Sequence, residues 1–159
     1  METFSAHPIG VVSGGGEGPA QVRIDPAYRD GLRGLEGFSH AVVTWWAHKV
    51  DDPELRVLTD AGRPYARLDH DLGVFATRSP LRPNPLALTV VELASVDVGA
   101  GVIETPYLDA QDGTPVLDLK PYTPSIDRVE SPQLPAWCAH WPESVETSGS
   151  FDWTGEFRF

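Results

Sequence analysis

"FSHAVVTWWAHKV", residues 38–50, is the stretch that decides the fold. Val42, Val43, Thr44, Trp45 and Trp46 follow one another without a break. β-Branched and aromatic side chains pack well on a pleated surface, so this run reads as a strand. Apolar residues fall on odd and even positions alike, which predicts a central strand buried on both faces. His40 and His48 are an even number of residues apart and share one face. A histidine on such a strand is more often a satisfied core residue than a catalyst. His48, at the strand's end beside Lys49, is the better placed of the two for chemistry.

Outward from this strand the chain reads as short β elements joined by turns. "HPIGVV" (7–12) and "AQVRI" (20–24) are strands on either side of "SGGGEGP" (13–19). That loop is expected to be a surface hairpin loop; its glycines would also let backbone approach a ligand closely. Residues 25–35 carry Asp25 before Pro26, a helix start, and end in glycines, so one short helix or a few turns are expected. Asp52 and Pro53 predict a second short helix over 51–60, followed by a loop over 61–70. "GVFAT" (73–77), "LALTVVELASVDV" (86–98), "GVIETPYL" (101–108) and "PVLDLK" (115–120) are further strands. "DAQDGT" (109–114) is a turn, marked by Asp112-Gly113. "SPQLPAWCAHW" (131–141) reads as a short helix, and the tail "GSFDWTGEFRF" (149–159) as a last strand or an edge cover.

Six or seven strands at short spacing predict an all-β, mainly antiparallel domain, a closed or partly closed β-barrel with a few short helices. The long helices of a doubly wound α/β fold are missing, as is a GxGxxG dinucleotide fingerprint. The 159 residues are expected to form one domain, 1–159, and the 15 glycines and 15 prolines agree with many turns. The formal charge of −11 argues against a broad electrostatic grip on nucleic acid. The single cysteine, Cys138, excludes an internal disulfide and argues against a cysteine-based metal site; it reads as a buried thiol beside Trp137 and Trp141. No metal site is expected. "METFSAHPIG" lacks the regions of a signal peptide and no run is long enough to span a membrane, so a cytoplasmic protein is expected.

Two stretches carry candidate chemistry. In "GVFATRSPLRPNPLALT" (73–89), two arginines and three prolines lie between Arg78 and Pro85. Residues before proline are driven to extended backbone, so Ser79, Arg82 and Asn84 are stiffened before anything binds. Each guanidinium can grip a carboxylate or phosphate through paired hydrogen bonds. The same residues would also suit a proline-rich corner that bridges surface acids. In "LDAQDGTPVLDLKP" (108–121), Asp109, Asp112 and Asp118 bracket a turn with Lys120 beyond. A carboxylate there can bind ribose hydroxyls or an ammonium group, or simply cap its own turn. The three acids lack the regular spacing of a metal loop.

"GLEGFSHAVVTWWAH", "GVFATRSPLRPNPLALT" and "LDAQDGTPVLDLKPY", in this order and spacing and with "IGVV" ahead of them, resemble the TsaA-like, or TrmO-like, family over about residues 7–127. The resemblance implies a homodimeric β-barrel methyltransferase that uses S-adenosylmethionine and methylates N6-threonylcarbamoyladenosine of tRNA. By position it places cofactor contacts on Ala47, His48, Lys49, Arg78, Leu88, Leu108, Asp109, Ala110 and Gln111. Substrate contacts fall on Arg82, Asn84 and Lys120, and His48, Asp109 and Asp112 are the candidate bases. Relatives read Pro-Asn-Pro-Ile-Gly where this chain has Pro83-Asn84-Pro85-Leu86-Ala87, and Leu-Asp-Leu-x-Asp-Gly where it has Ala110 and Gln111. Their first loop carries a Pro-Arg-Gln type stretch that "SGGGEGPAQ" does not match. The extra C-terminal domain of longer members is expected to be absent. The charge disfavours tRNA as partner. Two other readings stand beside it: a methyltransferase of the same fold acting on a small amine, amide or other metabolite, and a non-catalytic S-adenosylmethionine-binding module.

Overall fold

The alternation along the aromatic stretch is what builds the sheet. In a computed structural model, which describes residues 4–16 and 18–158, the strand runs His40–Trp46 (β3). Ala41, Val43 and Trp45 are buried, whereas Val42, Thr44 and Trp46 are only half-buried. Burial on both faces is therefore corrected: one face is core and the other is partly covered. Met1–Thr3, Glu17 and Phe159 lie outside the described residues, and with them the start of the expected leaderless terminus, one residue of the glycine loop and the end of the expected last strand.

Contacts divide the chain into two compact units, Met1–Asp51 with Pro85–Asp127, and Asp52–Asn84 with Arg128–Phe159. The first holds a seven-stranded sheet. Its remaining strands are β1 (Gly10–Gly14), β2 (Ala20–Ile24), β6 (Leu86–Glu92), β7 (Ser95–Asp97), β8 (Val102–Thr105) and β9 (Pro115–Pro121). The order is β6-β3-β9-β1-β2-β8-β7, with every pairing antiparallel. Val12, Val22, Val43, Val91, Ile103, Leu108 and Val116 fill the core at 2% exposure or less.

The expected antiparallel sheet is present, but not as a closed barrel. Among the described residues no ladder joins β6 to β7, so hydrogen bonds do not close the sheet. The reason is that these two ends of the sheet are consecutive in the chain, with only Leu93 and Ala94 between them. The Leu93 amide still donates to Ser39 beside β3, at 2.8 Å, while the Ala94 amide donates to Glu104 of β8, at 2.9 Å. One bent stretch thus changes partners at a dipeptide, and the chain itself links the two ends.

The second unit has little regular structure. Strands β4 (Asp60–Gly62) and β5 (Leu72–Gly73) pair briefly, and Tyr65 makes an isolated bridge to Phe157. "GVFAT" is not a strand beyond Gly73, because Val74–Ala76 close into a 3-10 turn. Tyr65, Leu68 and Leu72 are buried under Trp137 and Trp141, and the Tyr65 ring stacks on Trp137 at 4.6 Å. Glu156 is buried against this pile. Its carboxylate accepts from Trp141 Nε1 at 3.0 Å and pairs with His140 Nε2 at 2.9 Å. These contacts hold its carboxyl below the ordinary range, the indole bond first and the histidine second. Nδ1 of the same histidine is buried with no hydrogen-bond partner among the described residues. Cys138 is a free buried thiol, as its neighbours imply, and desolvation pushes its pKa up.

Helices are fewer than expected. From residue 25 onward the chain gives the few turns that are the alternative to a helix, 3-10 at Arg29–Leu32 and Leu35–Gly37. Over 51–59 there are turns only, before β4 begins at Asp60; the Asp52 carboxylate takes the Glu54 amide at 2.7 Å, but no helix propagates. Single turns fix many dihedrals for one hydrogen bond and need packing to persist. Residues 131–141 likewise form turns, while single helical turns occur at Pro124–Asp127 (α1) and Val145–Ser148 (α2). Ser144 and Thr147 cap the latter reciprocally, a signal the sequence carries but periodicity does not reveal.

Candidate functional site

The glycine loop and the acidic turn meet. β1 and β2 are in register from Gly10↔Ile24 to Gly14↔Ala20, so the loop leaves the hairpin at Gly14. The Gly14 amide donates to Asp112 Oδ1 at 3.0 Å, and the Gly16 amide donates to the Ala110 carbonyl at 2.9 Å. Gly15 has φ +84°, and a Cβ there would stand 2.2 Å from the Ala110 oxygen. Only glycine fits so close a backbone approach. The loop expected to be a plain hairpin connection is therefore fastened onto Leu108–Asp112, and the carboxylate of Asp112 is one of the fasteners.

Within that turn Leu108 and Ala110 are fully buried, while Asp109, Gln111 and Asp112 are exposed. Asp109 is held from the sheet. Trp45 Nε1 donates to Thr89 Oγ1 at 3.0 Å, and the Thr89 hydroxyl donates to Asp109 Oδ1 at 2.6 Å. Thr89 faces Val43 across the β3–β6 ladder, on the core face. The sequence reading missed Thr89, which looks like an ordinary strand residue. The partners lie 44 and 20 residues away, so no local pattern reveals them.

The end of β3 supplies the rest. Ala47 is buried and its amide donates to the Pro85 carbonyl at 2.8 Å, which draws the start of β6 to the end of β3. His48 is half-buried and begins the 3-10 turn His48–Val50, with Lys49 exposed. Leu88 lies across from Thr44 on the outer face and is 53% exposed. Ala87 faces Trp45 and packs on the core, so the methyl it adds relative to glycine is directed inward.

Lys120 is placed elsewhere on the sheet. It lies across from Val42 and pairs with Asp118 on its own strand. Six residues along an extended chain separate Val42 from His48, about 20 Å. A cleft of about 430 Å³ lined by Tyr28, Arg33, Phe38 and Asp118 lies near Lys120's end of the sheet. Arg78, Arg82 and Asn84 belong to the second unit. There the Arg78 amide and guanidinium both act on the phenol of Tyr65, although burial, the larger influence, pushes that phenol's pKa up. Arg82 Nη2 donates to the carbonyls of Val74 at 3.2 Å and Thr77 at 3.1 Å, bracing its own loop. The Thr77 hydroxyl donates to Val74 at 2.9 Å and receives the Ser79 amide at 3.2 Å, so the loop is stiffened by hydrogen bonds as well as by proline. Among the described residues no three His, Cys, Asp or Glu stand together as a metal site.

This geometry coincides with a known family. Residues 12–128 match a family model described as the tRNA-methyltransferase O N-terminal domain. An S-adenosyl-L-methionine-binding protein of Archaeoglobus fulgidus is 39% identical over 110 residues, covering 69% of this chain and 73% of that protein. A probable S-adenosyl-L-methionine-binding protein of the same organism is 40% identical over 114 residues, but the match spans only 29% of it. The tRNA (adenine(37)-N6)-methyltransferase of Escherichia coli is 37% identical over 126 residues, 77% of this chain and 51% of the enzyme. The crystal structure of TrmO from Pseudomonas aeruginosa superposes with a TM-score of 0.63 at 28% identity, over 83% of this chain and 62% of that one. The chain thus spans about half to three fifths of the methyltransferases it resembles. It belongs to the family of the tRNA-methyltransferase O N-terminal domain.

Proposed function

We propose that the protein is an S-adenosylmethionine-dependent methyltransferase that methylates N6 of N6-threonylcarbamoyladenosine at position 37 of tRNA. The observation that carries this reading is the fastening of the glycine loop onto Leu108–Asp112, within a family whose relatives are named for this cofactor and this transfer. The pieces fit a nucleoside cofactor: a close backbone approach at Gly15–Gly16, and an exposed carboxylate, Asp109, with one oxygen held by Thr89.

When bound, the cofactor supplies an electrophilic methyl group. The chain's own residues orient it. Ala47, His48 and Lys49 at the end of β3, Leu88 on β6 and Leu108–Gln111 on the acidic turn are the holding residues in the first unit. Arg78, in the second unit, is by its chemistry suited to grip a carboxylate. Positioning of this kind supplies about 7 kcal/mol or more of a bimolecular barrier. A carbamoylated N6 is a weak nucleophile, so a base must take its proton. His48 fits that task better than Asp112, whose carboxylate is committed to the Gly14 amide.

The acceptor could instead be a small amine or amide, and the net charge of −11 favours this second reading. The archaeal relatives are named only as binding proteins, which favours a module without turnover. A homodimer belongs to the proposal, supported by Leu86 and Leu88 exposed side by side on the outer face of β6. A cytoplasmic setting belongs to it too; no described helix is long and apolar enough to cross a membrane. One assay separates the readings. Purified protein is given labelled S-adenosylmethionine with total tRNA or with a metabolite extract. Label in tRNA, lost when the tRNA lacks the threonylcarbamoyl group, supports the first. Label confined to small molecules supports the second. Tight binding without transfer leaves the non-catalytic module.

A further inference from the structure

We infer that Thr89, itself oriented by Trp45, is a positioning residue that sets Asp109 as an anchor for a donor group of the cofactor rather than as the base. The inference rests on the cofactor reading above. An indole N–H can only donate, so Thr89 Oγ1 must accept from Trp45 Nε1 at 3.0 Å. The hydroxyl has one proton, and it is thereby turned to Asp109 Oδ1 at 2.6 Å. That distance is in the range of a hydroxyl bound to a carboxylate. The relay has one direction: Trp45 gives to Thr89, and Thr89 gives to Asp109.

Two consequences follow from this polarity. Oδ1 already accepts the Thr89 hydroxyl, and Oδ2 has no hydrogen-bond partner among the described residues. The oxygen with both lone pairs open to a ligand is therefore Oδ2, on a carboxylate oriented from a strand of the sheet. Such an oxygen suits a hydroxyl or ammonium donor, both of which S-adenosylmethionine carries. The indole end is also firmly set, because Trp45 is buried at 9% exposure and faces Val116 of β9. A surface turn thus receives its orientation from the core of the first unit.

The test uses isosteric and conservative variants of the full chain. Thr89→Val keeps the shape and removes the hydroxyl; Thr89→Ser keeps the hydroxyl and removes a methyl. Binding of S-adenosylmethionine is measured by calorimetry, and KM and kcat by methyl transfer. Thr89→Val is expected to weaken binding and raise KM for the cofactor by about tenfold, with the loss falling on KM rather than kcat. Thr89→Ser should recover binding to within about twofold, and Trp45→Phe, which leaves the hydroxyl free to turn, should fall between them. Should Thr89→Val not fold, Trp45→Phe against Thr89→Ser makes the same comparison. Equal affinity in all variants overturns the inference while the cofactor reading stands. A fall in kcat at unchanged KM overturns it too, since Asp109 would then act on the methyl acceptor. Wild-type protein that takes up no cofactor removes the cofactor reading and this inference together.

Discussion

Ile103 and Leu68 are both apolar and both nearly inaccessible, at 1% and 3% exposure, yet they sit in different kinds of packing. Around Ile103 the first unit sets aliphatic side chains on a hydrogen-bonded sheet, where each position is fixed by register with two neighbours. Around Leu68 the second unit piles aromatic rings on turns. Trp137 and Trp141 there are only partly buried, and one carboxylate, Glu156, holds an indole and an imidazole. The first arrangement is rigid because many ladder bonds must break together. The second depends on a few broad contacts and on the ionisation of one group.

The difference gives an order of expected effects. Ile103→Ala should cost about 4 kcal/mol, because a sheet cannot collapse into the cavity, whereas Leu68→Ala should cost about 2 kcal/mol, since half-exposed rings can settle. Equal costs in denaturant melts would erase the distinction. Gly15→Ala comes next at about 2–3 kcal/mol, from the positive φ and the Ala110 carbonyl in its way. It should also weaken cofactor binding, and unchanged calorimetry would separate the loop from the site. The acid side of the pH profile belongs to the second unit. A carboxyl depressed in the folded state stabilises fully above its ordinary value, here 4.5. That contribution is lost as pH falls below it toward the folded value. Thermal melts from about pH 7 to about pH 3 should therefore fall less steeply in Glu156→Gln than in wild type. The smallest effect is expected for Gly16→Ala, about 1 kcal/mol, because its φ is +80° but no atom lies within 4 Å of the added methyl. A cost there as large as at Gly15 would mean that conformation alone, not close approach, fixes the loop.

The same contrast explains what the sequence discloses. β2 is legible to the residue, Ala20–Ile24, because glycines and proline bound an alternating run. Asp112-Gly113 marks its turn, and Gly113 does take φ +80°. The two-face burial of the aromatic strand was not legible, since Trp46 and Val42 are apolar on a face that is only half covered. Strand counting leaves closure between closed and partly closed, because it cannot show that the sheet's two ends are one bent stretch. In the second unit the buried rings follow no period, so neither helix nor strand spacing points to them. At the site, the motif residues of the acidic turn and the end of β3 are visible as a pattern. Thr89 is not, because its meaning comes from partners across the sheet rather than from its neighbours.

The bond from Ala47 to Pro85 has a wider consequence. β3 and β6 are adjacent antiparallel strands, so everything between residues 47 and 85 is, to the sheet, the loop of one hairpin. The entropy of closing a flexible loop grows only slowly with its length. Lengthening, shortening or replacing that excursion therefore leaves the ladder nearly as stable as before. The cradle of Gly14–Gly16 and Leu108–Asp112 lies wholly outside that excursion. To the sheet, the length of residues 48–84 is therefore a minor quantity, although their chemistry is not, since His48, the proposed base, is the first of them.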